Sequence, residues 1–592
     1  PFGNPADPQV LSIKVTPTER QVDMRSQTQI RVMATFSDGR STDVTGHAKF
    51  QSNNEGLGLV DEFGLVTIGN APGEVAVMAN YMGAVGVFQA LIPSDQRIAK
   101  YPRLPETNFI DRLVHQKLEK LHILPSGQTD DATFLRRASL DIIGRLPTSQ
   151  ESRDYLGDKR PDRRARLVSS LLERPEYADF WALKWSDLLK VDRLKLGHET
   201  AYKYYRWIRE SFAENKPLDE FARQVLTASG PVRENPQAVF YKTIGNAGER
   251  AAAVSQVFLG MRIECAQCHH HPYDRWSQSD YWGMQAFFTQ VGFKPGPLGE
   301  AIHATGNPAT KHPRTGETIF AHALETPAPA AHPEGDRRTV LADWMTASDN
   351  RYFARNMANR VWAHFLGRGL VEPVDDVRLT NPPSNPQLLE ALGEHLVSNK
   401  YNLHTLIRTI TSSRTYQRST EPTGSNRQDE QNFSRFLMKR IDAEVLLDAI
   451  SDTTGVVEKF PGTPVGYRAV QLWDSQVPHY FLKLFGRPYR VTACACERAV
   501  EPTVGQILHV MNSPQIHRKI SHAGGRIAKL VRESTDDDYV VEELYLTFFN
   551  RFPVQKEQQV ALEHFGRSKN RQQAAEDLVW TMLNSLEFLF NH

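Results

Sequence analysis

The apolar residues of this 592-residue chain change period near residue 100, which divides it into a β part and an α part. Before the change, Ile30, Val32, Ala34 and Phe36 alternate with polar residues and meet Ser37-Asp38-Gly39. That is the pattern of a half-buried strand entering a hairpin turn. Short strands follow at 65–68, 74–79 and 85–92, separated by Gly and Asn, so residues 1–93 read as a small all-β sandwich. From about 104 the spacing is helical: Ile110, Leu113, Val114 and Leu118 share one face. Phe134, Leu135, Ala138 and Ile142 form another stripe, closed by Gly144 with Pro147 beyond. Thr148 and Glu151 have the spacing of a capping box. Helical stripes run on to 293 and resume from 337 to 592, at 388–396, 403–410, 443–450, 540–549 and 574–590. Between them, residues 294–336 are rich in Pro, Gly, Ala and His without a period and read as an irregular linker. The expected fold is multidomain: an all-β sandwich, then two mainly α-helical domains at 104–293 and 337–592.

Charge narrows the partners. Lys plus Arg is 70 and Asp plus Glu 69, a net charge of +1, so no single-sign field gathers nucleic acid or anionic lipid. No apolar run approaches the ~18–20 residues of a membrane span. The chain has four Cys, in two tight pairs, Cys265/Cys268 and Cys494/Cys496.

Cys265-Ala266-Gln267-Cys268-His269 has the spacing by which a c-type haem is attached. Residues three apart on a helical turn project to one side, so both thiols can add to the vinyl groups while the next side chain meets the iron. Cys265 and Cys268 are then thioether anchors, and His269 is the axial ligand of one covalent haem c. His271 lies two residues from His269, too few to pass round a macrocycle ~10 Å across at ~3.5 Å per residue. His271 and Asp274 are therefore expected to bond a propionate or fix the proximal imidazole. His270 is expected in solvent. Attachment of this kind follows export, so a periplasmic, cell-surface or extracellular protein is expected, and the opening at Pro1 without a charged and apolar leader reads as a mature exported chain.

Cys494 and Cys496 leave three readings open: thiols or ligands beside the haem, a disulfide of an oxidising compartment, or plain burial. A single transition metal (zinc, copper or iron) held by the Cys and His clusters is the alternative to haem. Glu497 and Arg498 read as an ion pair within one turn, with catalysis as the other option. Asp375 and Asp376 are paired carboxylates, able to yield a general acid if like charge raises one pKa, or else to cap a helix or bind Arg. Arg355, Asn359, Arg360, Trp362 and His364 could line a pocket or pack a core. Met284 and Met511, and the linker histidines His303, His312, His322 and His332, are further axial-ligand candidates.

Three longer runs add a resemblance. "FLRRASLDIIGRLPT" (134–148), "QVFLGMRIECAQCHHHPYDRWSQSDYWGMQAFF" (256–288) and "RYFARNMANRVWAHFLGRGLVEPVDDVRLTNPPSNPQLLEALGEHL" (351–396) resemble the planctomycete cytochrome C-like domain and the planctomycete surface domain that follows it. Residues 406–419 and 481–514 match the second family too, and the likeness covers about 104–590. Residues 1–93 resemble a group 2 bacterial immunoglobulin-like domain, with Phe50 where that family often has Trp. The immunoglobulin-like resemblance implies export, and the attachment motif, in a chain much larger than a simple electron carrier requires, points to a haem protein, an oxidoreductase or electron-transfer protein with a redox partner or a small-molecule or glycan substrate. A cell-surface structural or glycan-binding role is the other class the resemblance implies. Segment 481–514 is expected to cover the 265–274 motif.

Overall fold

Strand Arg31–Phe36 pairs antiparallel with Val10–Thr16 on one side and with Ser41–Asp43 on the other. The second pairing runs through the expected turn, where Gly39 holds φ +83°, a conformation that favours glycine. Gly73–Tyr81 and Ala84–Ile92 form a long antiparallel hairpin flanked by Lys49–Ser52 and, in parallel, Glu19–Gln21. Gln27–Gln29, Leu65–Ile68 and Gly58–Val60 make a third sheet. The alternating residues Ile30, Val32 and Ala34 meet Val15, Val66, Val75, Val77 and Phe88 in one core, none more than 2 % exposed. Each Val, Ile or Phe side chain there contributes about 1.5–3 kcal/mol by leaving water. This computed structural model describes residues 8–95, 98, 100–297, 299–329, 334–494, 497–499 and 501–592.

The rest of the chain is mostly helical. Asp131–Ile143 is capped by Asp130, whose side chain accepts from Thr133 N–H, and it ends at Gly144 with φ +59°. A Cβ on Gly144 would stand 2.5 Å from the Phe180 ring, so packing as well as backbone demands glycine there. The capping box forms as expected: Thr148 N–H donates to the Glu151 carboxylate at 2.7 Å, and Glu151 N–H to the Thr148 hydroxyl at 3.1 Å. Among the described residues no helix is long and apolar enough to cross a membrane.

Residues 294–336 are not simply irregular. Ala301–Ala304 pairs with Val291–Lys294 and with Gly230–Pro231, and Ala309–Lys311 pairs with Thr318–Phe320. Strands of two to four residues are too short to leave a period in the sequence.

The chain folds into two compact units, each assembled from separate stretches of sequence. Unit 1 is Pro1–Gly127, Pro217–Leu406 and Ser413–Arg435; unit 2 is Gln128–Lys216, Ile407–Ser412 and Phe436–His592. Contacts distant in sequence decide membership. In unit 1 the buried Asp111 carboxylate accepts from Arg414 N–H at 3.1 Å and Thr415 N–H at 2.9 Å. In unit 2 Arg136, 1 % exposed, donates to the carbonyls of Phe548 and Phe588 and to Asn550 Oδ1 at 3.0–3.1 Å. Lys439 meets Asp141 there at 2.7 Å.

Candidate functional site

The cysteine motif lies in unit 1, after helix Ala247–Val254 has widened into a π turn, Ser255–Leu259. A π turn leaves carbonyls without their usual helical partners. Here Asn356 and Arg360, from helix Arg351–Leu366, supply donors: Asn356 Nδ2 and Arg360 Nε reach the Val257 carbonyl at 2.9 and 3.1 Å. Arg360 also donates to the Gln256 carbonyl at 2.8 Å, and burial pushes its pKa down to about 10. The turn stops at Gly260, φ +72°, where a Cβ would lie 2.5 Å from Asn356 Oδ1.

A 3-10 turn follows, Ile263–Ala266, extended by the Gln267 N–H to Glu264 carbonyl bond at 3.1 Å. Three residues per turn place i and i+3 on one side. Ile263 and Ala266 are buried on one side, while Cys265 in the turn and Cys268, two residues past its end, are exposed free thiols. His269 is exposed next to Cys268, and its Nδ1 lies 2.7 Å from the His270 carbonyl. With Nδ1–H donated there, the lone pair sits on Nε2. His270 is exposed, as expected. Cys268 and His269 border an open cleft of about 560 Å³, together with Gln278, Trp282, Pro313 and Arg314. Small-molecule and cofactor sites occupy ~300–1,000 Å³.

His271 and Asp274 brace this segment from within. His271 is buried, its Nδ1 accepts from Tyr273 N–H at 3.1 Å, and it hydrogen-bonds the backbone of Arg262; burial pushes its pKa down. Asp274 accepts from Arg275 N–H at 2.8 Å, and burial pushes its carboxyl up.

A second brace comes from the loop after helix Arg351–Leu366. Asp375, 1 % exposed, accepts from Arg262 and Gln256 at 2.7 Å each, and Val377 N–H donates to the Gly260 carbonyl at 2.7 Å. Thr380 donates to the Tyr273 carbonyl at 3.0 Å. Of the readings open for Asp375 and Asp376, the structure shows arginine binding: Asp375 meets Arg262, and Asp376 meets Arg378 at 3.2 Å. Their side chains turn to different partners because each finds a cation on its own side.

Other candidates fall elsewhere. Asn359 holds the 370–371 turn, its Oδ1 accepting from Leu370 and Val371 N–H at 2.7 and 3.1 Å. Trp362 is core, edge-on to Phe433. Arg355 pairs with Glu390, and His364 stands edge-on to Phe365. Met284 is fully buried in helix Gln278–Ala286, whereas Met511 is partly exposed on Val504–Asn512 of unit 2. His312 and His322 are buried, His303 lies near Gly292, and His332 lies outside the described residues. Sequence reading missed Arg262, Gly260 and Asn356, as well as Arg314, whose turn is set by His312 Nδ1 accepting from Arg314 and Thr315 N–H at 3.3 and 3.2 Å. Gly260 carried a signal, since a glycine closing a helical stripe marks a left-handed end.

Cys494, Glu497 and Arg498 belong to unit 2. Cys494 is disulfide-bonded; Cys496 lies outside the described residues. Arg498 does not pair with its neighbour Glu497. It reaches Glu444 at 2.6 Å and Asp187 at 2.7 Å, because its side chain points into a buried carboxylate pair, while the Glu497 carboxylate accepts from Val491 and Thr492 N–H. The motif and the 481–514 segment expected to cover it are thus parts of different units.

Two stretches match known families. Residues 109–292 match the family model PSCyt2, described as a protein of unknown function (DUF1549). Residues 337–565 match PSD1, described likewise (DUF1553). They are the two expected domains, in the expected order, and the N-terminal β segment matches neither. No curated protein matches the chain. Both matches are divided between the compact units, and in unit 1 the PSD1 stretch supplies Asn356, Arg360 and Asp375 to brace the PSCyt2 stretch that carries Cys265, Cys268 and His269. Among the described residues no three His, Cys, Asp or Glu side chains converge to hold a metal ion.

Proposed function

We propose that this is an exported c-type haem protein, an oxidoreductase or electron-transfer protein, with one haem carried by Cys265 and Cys268 and His269 as its axial ligand. The observation that carries the reading is the 3-10 turn that buries Ile263 and Ala266 and leaves Cys265 exposed, with the free, exposed Cys268 two residues past its end beside His269, whose Nδ1 meets the His270 carbonyl. The donor set fits the group: two thiols for two thioether bonds, one nitrogen for the iron, and Trp282 and Pro313 as apolar surface at the cleft. Bound there, the haem would supply one-electron chemistry at its iron. The chain's own residues do the rest. The His270 carbonyl orients His269, the Arg262–Asp375 pair holds the turn, and Arg314 stands at the cleft as a cation for a carboxylate. A non-haem centre needs several converging side chains, whereas this reading asks for one axial nitrogen.

Export is supported by chemistry within the chain. Cys494 is oxidised to a disulfide, which suits an oxidising compartment, and two exposed thiols three residues apart would not stay free there unless consumed. The N-terminal β segment, with its antiparallel sheets around a single core, we read as an immunoglobulin-like module. The test is a pyridine haemochrome spectrum of the full chain produced in a host that matures c-type cytochromes. A haem c spectrum that survives acid-acetone extraction is expected; haem lost on extraction, or never acquired, overturns the proposal.

A further inference from the structure

A second cleft in unit 1, about 140 Å³ and open to solvent on one side, lies between the N-terminal sheet and the turn after helix Arg351–Leu366. Its floor is polar. Glu74 and Ala76 are two apart on strand Gly73–Tyr81 and so face one way, opposite to the core residues Val75 and Val77, and Gln89 stands across from Ala76. The Glu74 carboxylate is already engaged, by Gln89 Nε2 at 2.7 Å and by Lys117. On the rim, Asn53 Oδ1 accepts from Ala76 N–H at 2.8 Å and Asn54 Oδ1 from Gly56 N–H at 3.1 Å, which leaves each amide its NH2 group to offer.

Arg368 forms the opposite wall, in a backbone position set by two glycines. Gly367 ends the helix at φ +79°, and a Cβ on Gly369 would lie 2.2 Å from the Val371 carbonyl. Glu372, the carboxylate beside it, is engaged by Gly369 N–H at 2.8 Å. Among the described residues Arg368 has no ion-pair or hydrogen-bond partner, and the buried Ser384 hydroxyl at the same cleft has none either. Gln431 completes the polar lining. A half-buried cation and a buried hydroxyl left without partners are costly unless a ligand supplies acceptors.

One unpaired guanidinium among amide and hydroxyl groups, with no aromatic platform, disfavours an apolar ligand and suits an anion rich in hydroxyls. We propose that this cleft binds an acidic sugar, a single pyranose-sized unit whose carboxylate pairs with Arg368 and whose hydroxyls bond the Asn53, Asn54 and Gln431 amides. Residues 1–93 alone lack Arg368, so the site belongs to the N-terminal sheet and the PSD1 stretch together, and it is independent of any group at Cys265.

Calorimetric titration of the full chain with glucuronate, with glucose and with a tetrameric oligouronide tests this. Saturable binding of glucuronate or the oligouronide is expected, with Kd raised about tenfold or more by Arg368→Gln at an unchanged melting temperature. Asn54→Asp keeps the turn acceptor but replaces the NH2 group with negative charge, and should weaken binding similarly. Binding of the monomer points to a free sugar, and binding of the oligomer alone to a unit within a polymer; either supports the site. No saturable binding of either acidic probe, Kd unaffected by both substitutions, or glucose bound as tightly as glucuronate overturns it.

Discussion

The Arg262 guanidinium donates to the Asp375 carboxylate at 2.7 Å across 113 residues of sequence. It fastens the loop after helix Arg351–Leu366 to the residue just ahead of the 3-10 turn that presents Cys265. Asp375 is 1 % exposed, so removing it leaves Arg262 and Gln256 facing a site that water reaches poorly.

Asp375→Ala is therefore expected to cost about 2–4 kcal/mol of stability, toward the lower end of a broken buried pair because Arg262 is partly solvated. Denaturant unfolding measures the loss. Limited proteolysis should at the same time cut faster within 263–276, while a merely global effect would leave the order of cleavage sites unchanged.

Asn359 carries three hydrogen bonds, two accepted by Oδ1 from Leu370 and Val371 N–H and one donated by Nδ2 to the Val371 carbonyl. Asn359→Leu strands these groups in the interior and should lower stability by about 2–4 kcal/mol. Asn359→Asp keeps both acceptor bonds but sets a carboxylate oxygen against the Val371 carbonyl and buries a charge, so it should cost at least as much in the same thermal-unfolding measurement.

His115 gives the fold a pH dependence. Burial, with Arg418 adding to it, pushes its pKa down to about 4. The folded value then lies below the ordinary 6.5, so the unfolded chain takes up the proton first. Stability is full above pH ~6.5 and falls as the pH drops toward ~4, by up to about 3 kcal/mol. The difference between wild type and His115→Gln, followed by denaturant titration from pH 7 to 4, should shrink across that window; a constant difference would show that His115 does not titrate there.

What was legible in the sequence was local. Gly144, the Thr148–Glu151 box and the turn at Ser37-Asp38-Gly39 are each decided within a few residues, and each stands where the pattern puts it. Both Cys265 and Cys268 are exposed and free, as the attachment spacing needs, with Cys265 in the 3-10 turn and Cys268 two residues past its end. What escaped was settled by distant partners. Arg498 looked complete beside Glu497, yet Glu444 and Asp187 hold it. For Asp375 an arginine partner was among the open readings, but which arginine was not legible, because Arg262 lies 113 positions away. The strands between 301 and 320 run only three or four residues, too short to impose alternation.

The central claim is that Cys265 and Cys268 carry haem through thioether bonds. Peptide mass spectrometry of the protein matured in a cytochrome c-competent host tests it most directly. The peptide containing 263–275 is expected to bear one haem, to resist thiol alkylation at both cysteines, and to lose the increment in the Cys265→Ser, Cys268→Ser double variant, which should still fold because both side chains are exposed. An unmodified peptide with two alkylatable thiols would contradict it.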